Sequence, residues 1–188
     1  MPASFRGQFL IAARRLRDPN FFKTVVLMVE HGPQGAMGLV LNRPSPVTVA
    51  QALAGHFDLP ANDNLVYVGG PVEPSALFIL HNSAEVDASE RPVVPGLFCG
   101  SSGAVFEHVV TSHAAGSTSI SYRVICGCAG WAPGQLEGEI SRGDWLLSPA
   151  TLERSFCEDP YTLWENLLKE LANQKPLAPR ANDHPEWN

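Results

Sequence analysis

The sequence predicts an α+β fold with a mixed, mostly antiparallel sheet and about four short helices. Short apolar runs alternate with Gly, Pro, Asn and Asp in the first half, and helical patterns lie between and after them. The 188 residues suit one domain, and 45% hydrophobic residues can supply its core. No repeat or change of composition divides the chain, so we expect one domain over 1–173 and a Pro-rich, loose C-terminal tail over 174–188.

Apolar runs bounded by turn residues mark the strands of the first half. They cover residues 8–13, 24–30, 38–42, 65–69 and 76–82. A helix predicted over 48–55, with Thr48 as N-cap and Gly55 as its stop, interrupts them and makes the sheet mixed. The charged, Pro-containing segment 83–96 has no periodicity and is predicted to be a surface loop.

The second half alternates strand and helix patterns. We expect a strand over 97–100, a helix over 102–113 with Ser102 as N-cap, and a strand over 120–128. Alternation along that last strand predicts that Cys126 and Cys128 share one face.

The C-terminal part is predicted to be helical. Residues 134–141 fit either a short helix or an extended hairpin arm. Ser148–Pro149 and Asp159–Pro160 place a cap residue before proline, which predicts helices over about 149–156 and 160–172. The second helix carries an apolar stripe that must dock on the sheet: Leu163, Trp164, Leu167, Leu168 and Leu171.

Charge and composition exclude several classes of function. Thirteen Lys and Arg against 19 Asp and Glu leave a net charge of −6, so direct nucleic-acid binding is not expected. The longest apolar run, 25–29, is too short to span a membrane, and no export signal is recognisable. Four cysteines without an export signal suggest reduced thiols and a cytoplasmic location.

No complete catalytic or metal-binding motif is present. Cys126 and Cys128 are closer together than structural zinc sites prefer and lack two obvious further ligands, so we interpret them as core residues. The segment 100–104 resembles a nucleophile elbow but ends in Ala104, and we interpret Ser102 as a helix cap. The sequence therefore predicts no catalytic residues, no metal and no cofactor.

Polar and aromatic side chains beside glycine turns are the candidate binding residues. Glycine lets a ligand approach the backbone, while Trp and Gln can stack on it and orient it. The same segments are also typical of plain turns whose Trp anchors the core. The candidates are Glu30, His31, Asn42, Arg43, Gly69, Gly70, Pro71, Trp131, Gln135 and Glu137.

Two functional hypotheses follow from these residues. The first is a non-catalytic binding or regulatory protein that uses them as a contact surface. The second is an enzyme or a small-anion or metabolite binder in which Glu30, His31 or Glu137 transfers protons. Glu30 and His31 are adjacent on a predicted strand and face opposite sides, which argues against their working as a pair.

Several segments together resemble the YqgE/AlgH family of bacterial proteins, in the right order from about Arg6 to Leu171. They read GQFLIAA, DPNF, VVLMVEHGPQGAMGLVLNRP, GGPV and GCAGWAPGQLEGEI followed by WL. Cys128 stands where the family usually has Tyr, which argues further against a metal site there.

The resemblance implies a barrel-like sheet with helices packed outside and no established enzymatic activity. Some family members are described as transcriptional regulators, linked by name to alginate production, and the family is treated as cytosolic. Together with the net negative charge, the resemblance implies a cytoplasmic regulator that acts through a protein or small-molecule partner and does not bind DNA directly.

Overall fold

A computed structural model describes residues 4–60, 63–86, 91–117 and 119–174. The strands are β1 (Gln8–Ala12), β2 (Val25–Gly32), β3 (Gly35–Val40), β4 (Pro44–Thr48), β5 (Leu65–Val68), β6 (Val72–His81), β7 (Phe98–Gly100), β8 (Tyr122–Trp131) and β9 (Trp145–Pro149). The helices are α1 (Val49–Ala52), α2 (Gly103–Ala114), α3 (Gln135–Ser141), α4 (Leu152–Ser155) and α5 (Pro160–Gln174).

The nine strands form one mixed sheet, which confirms the predicted α+β class. Seven strands are hydrogen-bonded in the order β4-β5-β8-β3-β2-β1-β9. In addition, β6 pairs with both β7 and β8. Among the described strands only β5 and β8 run parallel, and the order of seven ends at β4 and β9 without closing.

Strand β8 is the centre of the sheet because both of its edges are paired. Cys126 is opposite Val68 of β5 on one edge and Leu77 of β6 on the other. Farther along, Ala129 is opposite Gly38 of β3. One strand thus connects the β1–β2–β3–β9 part of the sheet to the β4–β5–β6–β7 part.

The chain crosses β8 at the turn between β5 and β6. Val68 pairs with Cys126 on one edge and Val72 pairs with Cys128 on the other, so residues 69–71 pass over the strand. A Cβ on Gly70, whose φ is +150°, would lie 2.3 Å from the Cys128 carbonyl oxygen. Only glycine allows the two backbones to approach this closely.

Two hydrophobic clusters fill the core on either side of this crossing. The larger joins β1, β2, β3 and β9 to α5, and the smaller joins α1 and α2 to β5, β6 and β8. The predicted apolar stripe of α5 docks as expected, with Trp164 buried and its indole N–H donating to the Ala12 carbonyl at 2.8 Å.

Two predicted helix starts are confirmed by their caps. Thr48 accepts from the Gln51 amide while the Gln51 side chain accepts from the Thr48 amide, which is a capping box. Ser102 accepts from the Val105 amide at the start of α2. The segment 134–141, whose sequence fits either a helix or a hairpin arm, contains helix α3.

The prediction that Cys126 and Cys128 share a face is wrong. Gly127 has a φ of +73°, and the β6–β8 register shifts beside it, so the alternation is interrupted. Cys126 packs against the smaller cluster and its thiol donates to the Pro74 carbonyl, whereas Cys128 is buried in the larger one.

Strands β4 and β9 were not predicted. Proline occupies two of the five β4 positions, which hides a strand that pairs only with β5. Ser148 lies inside β9, so the proposed cap is wrong, and Thr151 caps α4 instead. The Asp159 carboxylate accepts a hydrogen bond from the Tyr161 amide at the start of α5, as predicted for a cap.

None of the helices in the described part of the chain is long and apolar enough to cross a membrane. Helix α5 runs to Gln174, and the rest of the tail predicted over 174–188 lies outside the described residues. The same holds for residues 87–90 of the predicted loop 83–96.

The crossing over β8 predicts that Gly70→Ala destabilises the fold. The new Cβ would press on the Cys128 carbonyl, which should cost roughly 1–3 kcal/mol and lower the Tm by about 3–10 °C. Gly103→Ala is the control, because its Cβ has no atom within 4 Å and it lies in α2. Thermal unfolding followed by circular dichroism measures both, and equal Tm values would contradict the assignment.

Candidate functional site

An open groove lies where the N-terminal segment meets the segment before β7. Its volume is about 890 Å³. We call it the His31 groove, and its lining residues are Ser4, Arg6, His31, Arg91, Pro92, Val93, Val94 and Pro95. The sequence predicted one of these, His31, as a binding residue.

His31 is held by hydrogen bonds at both ring nitrogens. Its Nδ1 accepts from the Phe5 amide at 3.2 Å, and its Nε2 lies 3.0 Å from Oε1 of Glu137. Because Nδ1 accepts, Nε2 carries the hydrogen of the neutral ring and donates a hydrogen bond to the Glu137 carboxylate. The ring of Phe5 packs 4.7 Å away, and only 6% of the His31 side chain is exposed.

Glu137 lies in the first turn of α3 and is the exposed partner of this pair. A hydrogen bond to its own backbone is the main reason why the pKa of its carboxyl lies below the usual 4.5; desolvation opposes this, and the His31 contact lowers the pKa further. With 43% of the side chain exposed, the pair is well screened by solvent.

Arg6 connects the two walls of the groove. Its guanidinium donates to the carbonyls of Pro92 at 2.7 Å, Val93 at 3.3 Å and Arg91 at 3.1 Å. Burial and then the nearby Arg91 charge lower the pKa of Arg6, partly offset by Glu30. The N-terminal segment and residues 91–93 are therefore tied together without any ligand.

Two residues after Glu137 on α3, the half-buried carboxylate of Glu139 is held by two indoles. Oε2 of Glu139 accepts from the indole N–H groups of Trp131 at 2.9 Å and Trp145 at 2.8 Å. Its Oε1 accepts from the Gln135 amide at 3.0 Å, and Gln135 in turn accepts from the Ala132 amide. Phe21 packs against both indole rings, with centroids 6.0 and 5.5 Å away.

Comparisons with known proteins agree with this architecture. The sequence matches the AlgH-like family over residues 9–175. This chain belongs to the AlgH-like family.

Individual relatives show how far the similarity extends. A UPF0301 protein of Myxococcus xanthus is 39% identical over 163 residues, which cover 85% of this chain and 87% of the relative. The solution structure of the AlgH protein from Pseudomonas aeruginosa has a TM-score of 0.70 at 34% identity and covers 95% of this chain and 92% of its own. A crystal structure of a Corynebacterium diphtheriae protein has a TM-score of 0.71 at 26% identity, over 90% and 87% of the two chains.

The predicted binding residues of this AlgH-like chain separate into groups. Strands β2, β3 and β8 place His31, Ala36 and Trp131 in one row across the sheet, next to Gln135 and Glu137 of α3. His31 contacts Glu137 directly, while Trp131 and Gln135 are joined through Glu139.

Asn42 and Arg43 lie after β3 and bond to the backbone of residues 19–25. Asn42 accepts from the Val25 amide at 2.9 Å and donates to the Lys23 carbonyl, and Arg43 donates to the Pro19 and Phe22 carbonyls. These contacts are internal to the AlgH-like domain and stabilise the start of β2.

The other two predicted groups also have defined places. Gly69, Gly70 and Pro71 form the crossing over β8, where the glycines serve backbone packing. Glu30 is exposed and acts electrostatically on Arg6, whereas His31 faces Glu137. The expectation that these neighbours do not form a pair agrees with this arrangement.

Sequence reasoning missed Arg6 and Glu139. Arg6 acts on carbonyls 85 to 87 residues away, and no local pattern marks such a contact. Trp131 and Trp145 are only eight and six residues from Glu139, but no sequence pattern shows that their indoles meet at Glu139 and not at Glu137. In the described part of the chain no three His, Cys, Asp or Glu residues are placed to hold a metal ion.

Glu139→Gln is expected to destabilise the domain. If the new amide oxygen accepts from the two indoles, the new NH₂ group faces the NH₂ group of Gln135. If the amide is turned round, the NH₂ group faces the two indole N–H groups instead, so unpaired donors remain in either orientation. The cost should be about 1–3 kcal/mol. Urea unfolding followed by Trp fluorescence measures it, with Glu165→Gln on the exposed side of α5 as the control. Similar midpoints for both variants would show that Glu139 is dispensable.

The lowered pKa of Glu137 predicts a small acid dependence of stability. A carboxyl whose folded pKa is depressed stabilises the fold above its unfolded pKa, and this contribution disappears as the pH falls through the folded pKa. The urea midpoint of the wild type should therefore fall more between about pH 4.5 and pH 3 than that of Glu137→Gln. Parallel curves over this range would contradict the lowered pKa of Glu137.

Proposed function

We propose that this chain is a cytoplasmic binding protein with a regulatory role, which holds a protein partner in the His31 groove. The observation that carries the proposal is the groove of about 890 Å³ whose walls are already tied by Arg6. Preformed walls lower the entropic cost of binding. Arg6 and Arg91 favour a partner that presents a carboxylate or another anionic group.

Binding is better supported than proton transfer. A general base needs a free lone pair within reach of substrate, and both ring nitrogens of His31 are engaged by Phe5 and Glu137. Glu30 is exposed and acts electrostatically on Arg6, so its charge is partly balanced by a guanidinium. The arrangement supports His31 as a structural part of the groove wall.

The second candidate is a small anion or metabolite bound in the same groove. The two arginines of the lining favour it, because a guanidinium pairs well with planar carboxylates. It differs from the first candidate in the size of the partner, which mass distinguishes directly.

Direct contact with DNA is not part of the proposal. The net charge of −6 opposes the counterion release that drives phosphate binding. Regulation would then pass through the partner, and a gel shift at low salt is expected to show no complex.

Photo-crosslinking in cells tests the groove. A benzoylphenylalanine at Ser4, on the groove, should give a defined adduct, whereas one at Asn166, exposed on α5, should not. Adding Arg91→Glu to the Ser4 probe should reduce the yield severalfold, because the charge presented to the partner is reversed. Arg17→Glu, another exposed arginine, is the matched control.

The masses of the adducts decide between the candidates. A protein-sized adduct supports a protein partner, and native mass spectrometry showing a discrete small extra mass supports the metabolite. Equal adducts at Ser4 and Asn166, or yields that do not respond to Arg91→Glu, would contradict binding in the groove.

A further inference from the structure

A second cavity lies at the opposite end of β8, between β5, α1 and the start of α5. Its volume is about 290 Å³, and Asn64, Tyr67, Tyr122 and Arg123 contribute to its lining. It shares no lining residue with the His31 groove. Ligand pockets span roughly 300–1,000 Å³, so this cavity suits a small metabolite.

Arg123 provides a buried positive charge at this cavity. Only 8% of the residue is exposed, and its guanidinium carbon lies 4.2 Å from the centre of the Tyr67 ring. The guanidinium donates to the carbonyls of Leu41 at 3.0 Å and Cys157 at 3.1 Å. In the described part of the chain no carboxylate forms an ion pair with it.

This environment favours an incoming anion. Burial is costly for a cation that lacks a counter-charge, and carbonyl dipoles and an aromatic face balance it only in part. A ligand carboxylate would supply the missing negative charge, and two hydrogen bonds leave further guanidinium N–H groups for it.

Two phenols add hydrogen-bond donors. The Tyr122 hydroxyl accepts from the Asn64 amide at 3.0 Å, which leaves its own hydrogen for a ligand. The His113 ring packs edge-on against Tyr122 at 5.0 Å and fixes its position. Burial raises the pKa of Tyr67 and Tyr122, so both stay protonated near neutral pH.

The charges at the rim have the opposite sign. Asp63 and Glu158 line the same cavity and are exposed. Two carboxylates there repel a multiply charged anion such as phosphate and attract an ammonium group. Leu65 and Pro160 add apolar surface to the lining of the cavity.

We propose that this cavity binds a small zwitterion of amino-acid size. Its carboxylate contacts Arg123, its ammonium group lies near Asp63 and Glu158, and an apolar side chain packs against Leu65. The proposal does not depend on what the His31 groove binds.

Titration calorimetry with three apolar L-amino acids, valine, leucine and phenylalanine, tests it on the intact chain. At least one should bind, and for leucine the analogues 4-methylpentanoate and 3-methylbutylamine should each bind about tenfold more weakly, since each lacks one charged contact. No binding of any amino acid, equal binding of 4-methylpentanoate, or tighter binding of inorganic phosphate would overturn the proposal.

A variant at the rim tests the ammonium contact without disturbing the core. Glu158→Gln should weaken amino-acid binding about two- to fivefold, as for an exposed charge pair, and leave 4-methylpentanoate unchanged. Glu165→Gln is the matched control. Equal weakening of both ligands, or of neither, would contradict the placement of the ammonium group.

Arg123→Lys keeps the charge and loses the planar guanidinium, and amino-acid binding should fall at least about tenfold. Circular dichroism checks that this variant folds. If it does not, amide chemical-shift mapping on the wild type decides: leucine should shift Asn64, Tyr67 and Tyr122 and leave His31 unmoved. Shifts confined to the His31 groove would overturn the assignment while supporting a ligand there.

Discussion

Three backbone segments meet where the β5–β6 turn crosses β8, and no side chain fits between them. A Cβ on Gly69 would lie 2.2 Å from the Gly127 carbonyl oxygen, and one on Gly70 would lie 2.3 Å from that of Cys128. The Gly69 carbonyl also accepts from the Val40 amide, which links β3 to the crossing. Because this contact lets β8 pair on both edges, both parts of the sheet and both hydrophobic clusters depend on it.

The two candidate sites lie at opposite ends of that same strand. Trp131, the last residue of β8, donates to Glu139 of α3, the helix that carries the His31 partner Glu137. Tyr122 and Arg123, the first two residues of β8, line the smaller cavity. A ten-residue strand spans about 30 Å, so the sites are too far apart to share a ligand of metabolite size. A rigid central strand could still hold both in a constant relation.

Two charged side chains, the half-buried Glu139 and the buried Arg123, are stabilised by neutral partners. Glu139 is satisfied by two indoles and an amide, and Arg123 by two carbonyls and a phenol ring. For Glu139 the set of donors is complete, and we interpret it as structural. For Arg123 the partners in the described residues are neutral, which is why the cavity beside it is the more specific place to look for an anionic ligand.

Local structure could be predicted from the sequence: the capped starts of α1 and α2, the apolar stripe of α5, most of the strands and the family. Each depends on residues a few positions apart, whose spacing is visible in the chain. The sites could not be predicted in this way, because His31 contacts Glu137 across 106 residues and Arg6 contacts Pro92 across 86. The positive φ of Gly127, which separates Cys128 from Cys126, could not be predicted either, because the conformation of a glycine depends on the strands that pack around it.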